Sequence, residues 1–270
     1  MRFAICNEMF EGWEWGRTCR FAAEVGYQGI EVAPFTLAQS VNDISAESRL
    51  RIRREAEQAG LAIVGLHWLL VSPKGMYLNH PDAAIRQQTA DYLCSLVDFG
   101  ADLGGTLMVF GSPKQRSVHP DLDPSIARRF AKEALARPLD RAAQRGIIIC
   151  FEPLSPEETD FINTAAEARA LIEEVAHPNL RLILDVKAMS SEGRPIPEII
   201  RENREHVAHV HANDANRRGP GFGDTDFGPI AKTLADIGYK GWVSVEVFEY
   251  SPDPETIARQ SLAYLQQKFA

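Results

Sequence analysis

The runs Ile147-Ile148-Ile149-Cys150-Phe151-Glu152, Leu180-Arg181-Leu182-Ile183-Leu184-Asp185, Val207-Ala208-His209-Val210-His211-Ala212 and Trp242-Val243-Ser244-Val245-Glu246 decide how this chain folds. Each is too short for a helix and too continuously apolar for a sheet with one wet face, which is the pattern of a parallel strand covered on both sides. Four similar runs precede them: Arg2–Cys6, Gly29–Val32, Ala62–Leu66 and Thr106–Phe110. Between the runs lie amphipathic stretches with apolar residues at three- and four-residue spacing. Ser45–Ala59 opens on a serine cap, Asp82–Leu103 is rich in Ala and Leu, and Asp123–Arg145 opens on Asp123-Pro124, a capping residue followed by proline in the first turn. Glycines stand where helices give way to strands, at Gly26, Gly60, Gly146 and Gly238.

Eight such units follow one another with no Pro/Gly/Ser linker, which predicts an α/β fold, a single-domain (β/α)₈ TIM barrel over residues 1–270. An echo between Gly26-Tyr27-Gln28-Gly29 and Gly238-Tyr239-Lys240-Gly241 fits a repeated unit. A doubly wound open sheet would carry a glycine-rich loop after its first strand, and Asn7-Glu8-Met9-Phe10 is not one.

The 270 residues include 29 Lys+Arg and 37 Asp+Glu, a formal charge of −8, with the basic residues scattered. No basic stripe exists to neutralise phosphates, which excludes nucleic acid as a partner. No stretch reaches the ~18 apolar residues of a membrane span. Glu8 interrupts the first residues too early for a signal peptide, and Cys6, Cys19, Cys94 and Cys150 lie far apart in apolar surroundings. Free thiols in a cytoplasmic protein are therefore expected.

In such a barrel the site gathers at the C-terminal ends of the strands. There the last four runs place Glu152, Asp185, His211 and Glu246. Isolated buried carboxylates are costly, so several converging at one rim imply a compensating cation. Three carboxylates and one imidazole suit Mn²⁺, Mg²⁺ or Co²⁺ better than a structural zinc. Each acid alone would equally serve as a helix cap or an arginine partner.

With Ala215-Asn216-Arg217 after the seventh run and Gly-Tyr-x-Gly before the eighth, these four residues resemble the sugar isomerase/epimerase superfamily of xylose isomerase-like TIM barrels. Within it the chain is most similar to the D-tagatose/D-psicose 3-epimerase group. The resemblance implies a divalent ion, Mn²⁺ first with Mg²⁺, Co²⁺ or Zn²⁺ as alternatives, held by Glu152, Asp185, His211 and Glu246. It also implies a small sugar or keto-sugar substrate, and a homo-oligomer, dimer or tetramer. Proton abstraction beside a carbonyl gives an enediolate that a divalent cation stabilises. Glu152 and Glu246 would flank it as the acid/base pair.

Arg217 matches a substrate-contacting arginine, or is a solvated loop residue. Glu158 matches a substrate-contacting glutamate, although Pro153-Leu154-Ser155-Pro156 before it differs from the family. The group carries a histidine three residues after the metal-binding aspartate; here Ala188 stands there, and Lys187 is the candidate substitute for substrate binding. His67, with Trp68 behind it, is a further substrate-binding candidate or a core histidine. His209 shares a face with His211 and is expected to support it. Phe10, Trp13, Trp15 and Phe110 are candidates for an apolar wall, and Gly219–Gly223 for a turn closing over the site. Asp214 and Asp226 are read as capping or supporting acids.

The leading reading is a metal-dependent ketose 3-epimerase-like isomerase. A lyase or dehydratase acting on a keto-sugar or keto-inositol uses the same enolisation and is the alternative. A barrel that binds a sugar without turning it over is a third, and a metal-cluster endonuclease is disfavoured by the charge and by a single clear histidine ligand.

Overall fold

The computed structural model describes residues 1–270. Strands β1 (Arg2–Cys6), β2 (Gly29–Val32), β3 (Ala62–Leu66), β4 (Leu107–Phe110), β5 (Ile148–Phe151), β6 (Leu180–Asp185), β7 (Val207–Ala212) and β8 (Trp242–Val245) form a closed barrel in chain order. All neighbours are parallel, and β8 returns to β1 with Ala4 opposite Ser244 and Ile5 opposite Val245. The (β/α)₈ expectation is met. Around the barrel run α1 (Trp15–Val25), α2 (Ala46–Gln58), α3 (Ala83–Asp102), α4 (Pro124–Arg145), α5 (Ala165–Val175), α6 (Val186–Ser190), α7 (Ile196–Glu202), α8 (Phe227–Asp236) and α9 (Pro254–Lys268). No helix is long and apolar enough to cross a membrane.

Local chemistry sets the helix ends. Side chains of Ser45, Asp82, Asp123, Thr164, Asp226 and Asp253 each accept a backbone N–H in the first turn of the following helix. Gly26 and Gly146 end α1 and α4 in the left-handed region, with φ of 111° and 71°. Strands four, five and eight are shorter than expected. Thr106 and Ile147 precede the first two, while Glu152 and Glu246 follow the last ladder residues of β5 and β8, although their N–H groups still reach the Phe110 and Ala212 carbonyls at 3.1 and 3.3 Å.

Two apolar layers position the site. Phe99, Leu135, Leu171, Leu234 and Leu262 from the helices pack against the outside of the sheet, each at most 2% exposed. A separate cluster of Ala4, Val64, Leu107, Val109, Cys150, Ile183 and Trp242 fills the barrel interior. Strand side chains alternate with period two. Cys150, Ile183 and Ser244 therefore put Glu152, Asp185 and Glu246 on the interior side, one layer nearer the C-terminal rim, and His209 does the same for His211.

Closure leaves no room at Gly65, where an added Cβ would lie 2.0 Å from the Leu107 carbonyl oxygen across the β3–β4 pair. Gly65→Ala is expected to destabilise by on the order of 3 kcal/mol, lowering the melting temperature by roughly 6–12 °C. A shift within about 2 °C in a thermal melt would show that this strand pair is looser than described.

Candidate active site

Glu152, Asp185, His211 and Glu246 meet at the rim, with one donor atom from each within 4.8 Å of the others. Opposite donors on a single first-row cation lie ~4.2 Å apart, so this ring needs little closure to hold one. The four side chains are buried, between 0% and 5% exposed. His211 Nδ1 faces the ring, 3.1 Å from Glu246 Oε2 and 3.8 Å from Glu152 Oε1. Its other nitrogen, Nε2, lies 3.2 Å from Glu31 Oε2. Glu31 is fully buried and also engages His209 Nε2. A carboxylate behind a ligating imidazole fixes its tautomer and orientation.

The carboxylates are held differently. Asp185 accepts the Ala188 N–H at 2.7 Å and the Asn213 side-chain amide, whose own carbonyl accepts the Lys187 N–H at 2.8 Å. Glu246 Oε1 accepts the Trp68 indole N–H at 2.9 Å. Glu152 accepts no hydrogen bond from the chain, and a Cβ added to Gly111 would stand 2.3 Å from its Oε2. A buried carboxylate without a donor beside an imidazole and two further acids is the environment a divalent cation completes.

Burial, then Glu246 and Asp185, push the Glu152 carboxyl well above the usual range. Burial also raises Asp185, with Lys187 opposing. At Glu246 burial is outweighed by the charge and hydrogen bond of His211, so its carboxyl sits low. Burial opposes charge on His211, but Glu246 and Glu31 hold its imidazolium well above the ordinary value.

Lys187 Nζ donates to Glu158 Oε1 at 2.7 Å and lies 4.3 Å from the Phe248 ring centre. Glu158 is anchored through Oε2 by the Ser155 N–H and hydroxyl. Arg217 is half-exposed at the mouth, 3.9 Å from Glu249 and 5.4 Å over Phe248. His67 is fully buried, its Nε2 2.7 Å from Glu8 Oε2. It belongs to the wall beneath the rim, where Glu8 joins it within donor range of Glu246. His67, His209 and His211 therefore converge, with His211 the one histidine of the four-residue ring.

Two expectations are corrected. Phe110 is fully buried and stacks on Phe151 at 5.4 Å, so it is core. Trp15 donates its indole N–H to Ile52 O on α2, and Phe10, Trp13 and Phe21 pack on one another. Trp68 is the aromatic residue bonded to a rim carboxylate, Phe35 and Phe248 pack on it with ring centroids 6.1 and 6.2 Å away, and Phe35 shares a cavity with Phe10, Trp13 and Trp15. The Gly219–Gly223 turn does not close over the site: Gly219 and Gly221 pack against Ser261, Ile257 and Tyr264 of α9. Asp226 caps α8 and Asp214 braces its own loop through the Asn216 and Thr225 N–H groups, as expected of capping acids.

Glu8, Glu31, Asn213 and Arg116 were not singled out by sequence. The clue for Glu31 was its position inside an apolar four-residue run. Arg116 is fully buried against Phe151 at 4.9 Å, and burial brings its guanidinium down to about 10.

Comparison with known proteins agrees with this architecture. Over 176 residues the chain is 33% identical to a ketose 3-epimerase from Arthrobacter globiformis, covering 64% of this chain and 60% of that protein. Over 232 residues it is 30% identical to the D-psicose 3-epimerase of Agrobacterium fabrum (strain C58), covering 84% and 76% respectively. A crystal structure of a D-psicose 3-epimerase in the presence of D-fructose superposes with a TM-score of 0.87 at 24% identity, covering 100% and 99% of the two chains, which speaks to the fold. The family model for the xylose isomerase-like TIM barrel matches residues 19–268, nearly the whole barrel and all four rim ligand candidates, and the chain belongs to that family.

Proposed function

We propose that this chain is a divalent-metal-dependent ketose 3-epimerase-like enzyme that inverts a carbon beside the carbonyl of a small ketose. The observation that carries this reading is the buried ring of Glu152, Asp185, His211 and Glu246 at the C-terminal rim, with donors within 4.8 Å. The relatives' names supply the substrate class. Those four side chains would hold the ion, most simply Mn²⁺, which supplies Lewis-acid stabilisation of charge on the substrate oxygens.

The chain's own residues supply the rest. Glu152 follows β5 and Glu246 follows β8, so the two carboxylates approach from different sides of the ring. One removes the proton from carbon at a carboxylate oxygen, and the other returns a proton to the opposite face of the planar intermediate. Glu31 keeps His211 Nδ1 turned toward the ring. The Lys187–Glu158 pair offers an ammonium and a carboxylate to substrate hydroxyls in place of the family histidine replaced by Ala188. Arg217 adds a contact at the mouth, and Phe248 the apolar face on which a sugar's C–H groups rest. His67 lies too deep for direct contact and acts through Glu246 and Glu8.

With Mn²⁺ and a ketohexose panel in D₂O, the product should keep its carbon skeleton and mass except for deuterium gained at the inverted carbon. A product lighter by one water would instead establish the lyase, and binding without exchange would establish a non-catalytic barrel. Glu152→Gln and Glu246→Gln should each lower kcat by about 10³-fold or more. Gly111→Ala should displace the Glu152 carboxylate, cutting turnover with little change in melting temperature; full activity would mean that Glu152 is not where it acts. Lys187→Met should raise KM more than it lowers kcat in steady-state assays, and unchanged kinetics would remove Lys187 from the substrate site.

A further inference from the structure

Trp68 is the one aromatic residue whose polar atom touches the ligand ring. Its indole N–H donates to Glu246 Oε1 at 2.9 Å. Glu246 Oε2 is meanwhile 3.1 Å from His211 Nδ1, so both oxygens of this carboxylate are engaged. Glu152 has no such donor. Two glutamates of one ring thus differ: Glu246 accepts a hydrogen bond from a side chain outside the ring, and Glu152 accepts none.

The backbone shows that the chain is bent to deliver this contact. Trp68 has φ of 53°, in the left-handed region that a bulky side chain rarely occupies, at a cost of about 1–3 kcal/mol. Its flanks are pinned: His67 N–H bonds Val32 O at 3.1 Å and Leu70 N–H bonds the Ser112 hydroxyl at 3.2 Å. His67 and Leu69 are fully buried. An extended residue here would follow the alternation of β3; the left-handed turn instead leaves Trp68 half-buried between Phe35 and Phe248, with its N–H on Glu246. Strain in so rigid a surrounding persists where the resulting geometry is used.

From this arrangement we infer that Trp68 is a positioning residue for Glu246, fixing that carboxylate of the acid/base pair through its indole N–H. The inference rests on the reading of Glu246 as catalytic. With the fixed group held at hydrogen-bonding distance by the indole, its oxygen need not be reorganised at each turnover.

The test pairs two variants of the full chain. Trp68→Phe keeps an aromatic ring in the wall and removes the N–H; Phe248→Leu disturbs the wall and leaves the N–H. In Trp68→Phe, kcat should fall by about 10–100-fold with KM changed less than about threefold. In Phe248→Leu, which thins the wall but keeps the N–H, KM should rise by a larger factor than kcat falls. Equal behaviour of the two variants, or an unchanged kcat in Trp68→Phe, would overturn the inference.

Mn²⁺ titration followed by tryptophan fluorescence gives a readout independent of turnover. Trp13, Trp15 and Trp242 make their contacts away from the ring. Quenching by Mn²⁺ should therefore be strong in the wild type and largely lost in Trp68→Phe. Absence of quenching in the wild type would strike at the metal reading itself. Quenching with an unaltered kcat in the variant would strike only at the role of Trp68. Melting temperatures of both variants near wild type establish that the fold is retained.

Discussion

Glu31, Glu152, Asp185 and Glu246 are held around the fully buried imidazole of His211, each at most 5% exposed, and much of the rim is arranged to make that tolerable. An ionised carboxylate withdrawn from water costs several kcal/mol unless charge or hydrogen bonds replace the solvent. The chain supplies part of that replacement: the Ala188 and Asn213 donors on Asp185, the Trp68 indole on Glu246 and the two histidines on Glu31. To Glu152 it supplies no hydrogen bond, only the His211 imidazole at 3.8 Å. Glu152, the acid without a chain donor, is a member of the ring that could hold a divalent ion.

The same constraint explains the barrel's vertical order. The interior is apolar at the level of Cys150 and Ile183, and becomes ionisable one alternate position further along those strands, at Glu152 and Asp185. Charge is thus kept at the end where loops and solvent can reach it. Lys187 and Arg116 are the buried cationic side chains, and each is committed: Lys187 to Glu158, Arg116 to the Phe151 face and backbone carbonyls. Neither bonds the rim ring directly, which leaves its three carboxylates with no Lys or Arg partner.

The strands, their order and the four rim residues were legible because each depends on a local pattern: a buried run and the residue that ends it. What the sequence hid depends on distance across the barrel. Glu31 lies 178 positions from His209 and 180 from His211, and nothing in Gly29–Val32 announces the pairing. Trp68 lies 178 positions from Glu246, and only a left-handed backbone angle brings them together. Aromatic residues were misassigned for a similar reason. Phe110 is the last residue of β4 and turns to Phe151 in the core, whereas Phe248, beyond the end of β8, turns to Trp68 and Lys187 at the mouth. The glycine-rich turn was read as a cover, yet the space beside its glycines is filled by α9.

That the rim ring holds one divalent ion is tested most directly by anomalous diffraction from crystals grown with Mn²⁺, collected above and below the manganese edge. One strong peak is expected, bonded to Glu152, Asp185, His211 Nδ1 and Glu246 at ~2.0–2.3 Å, with Glu31 still hydrogen-bonded to His211 Nε2. A map without a peak at that ring, with Glu152 instead turned to solvent, would contradict it.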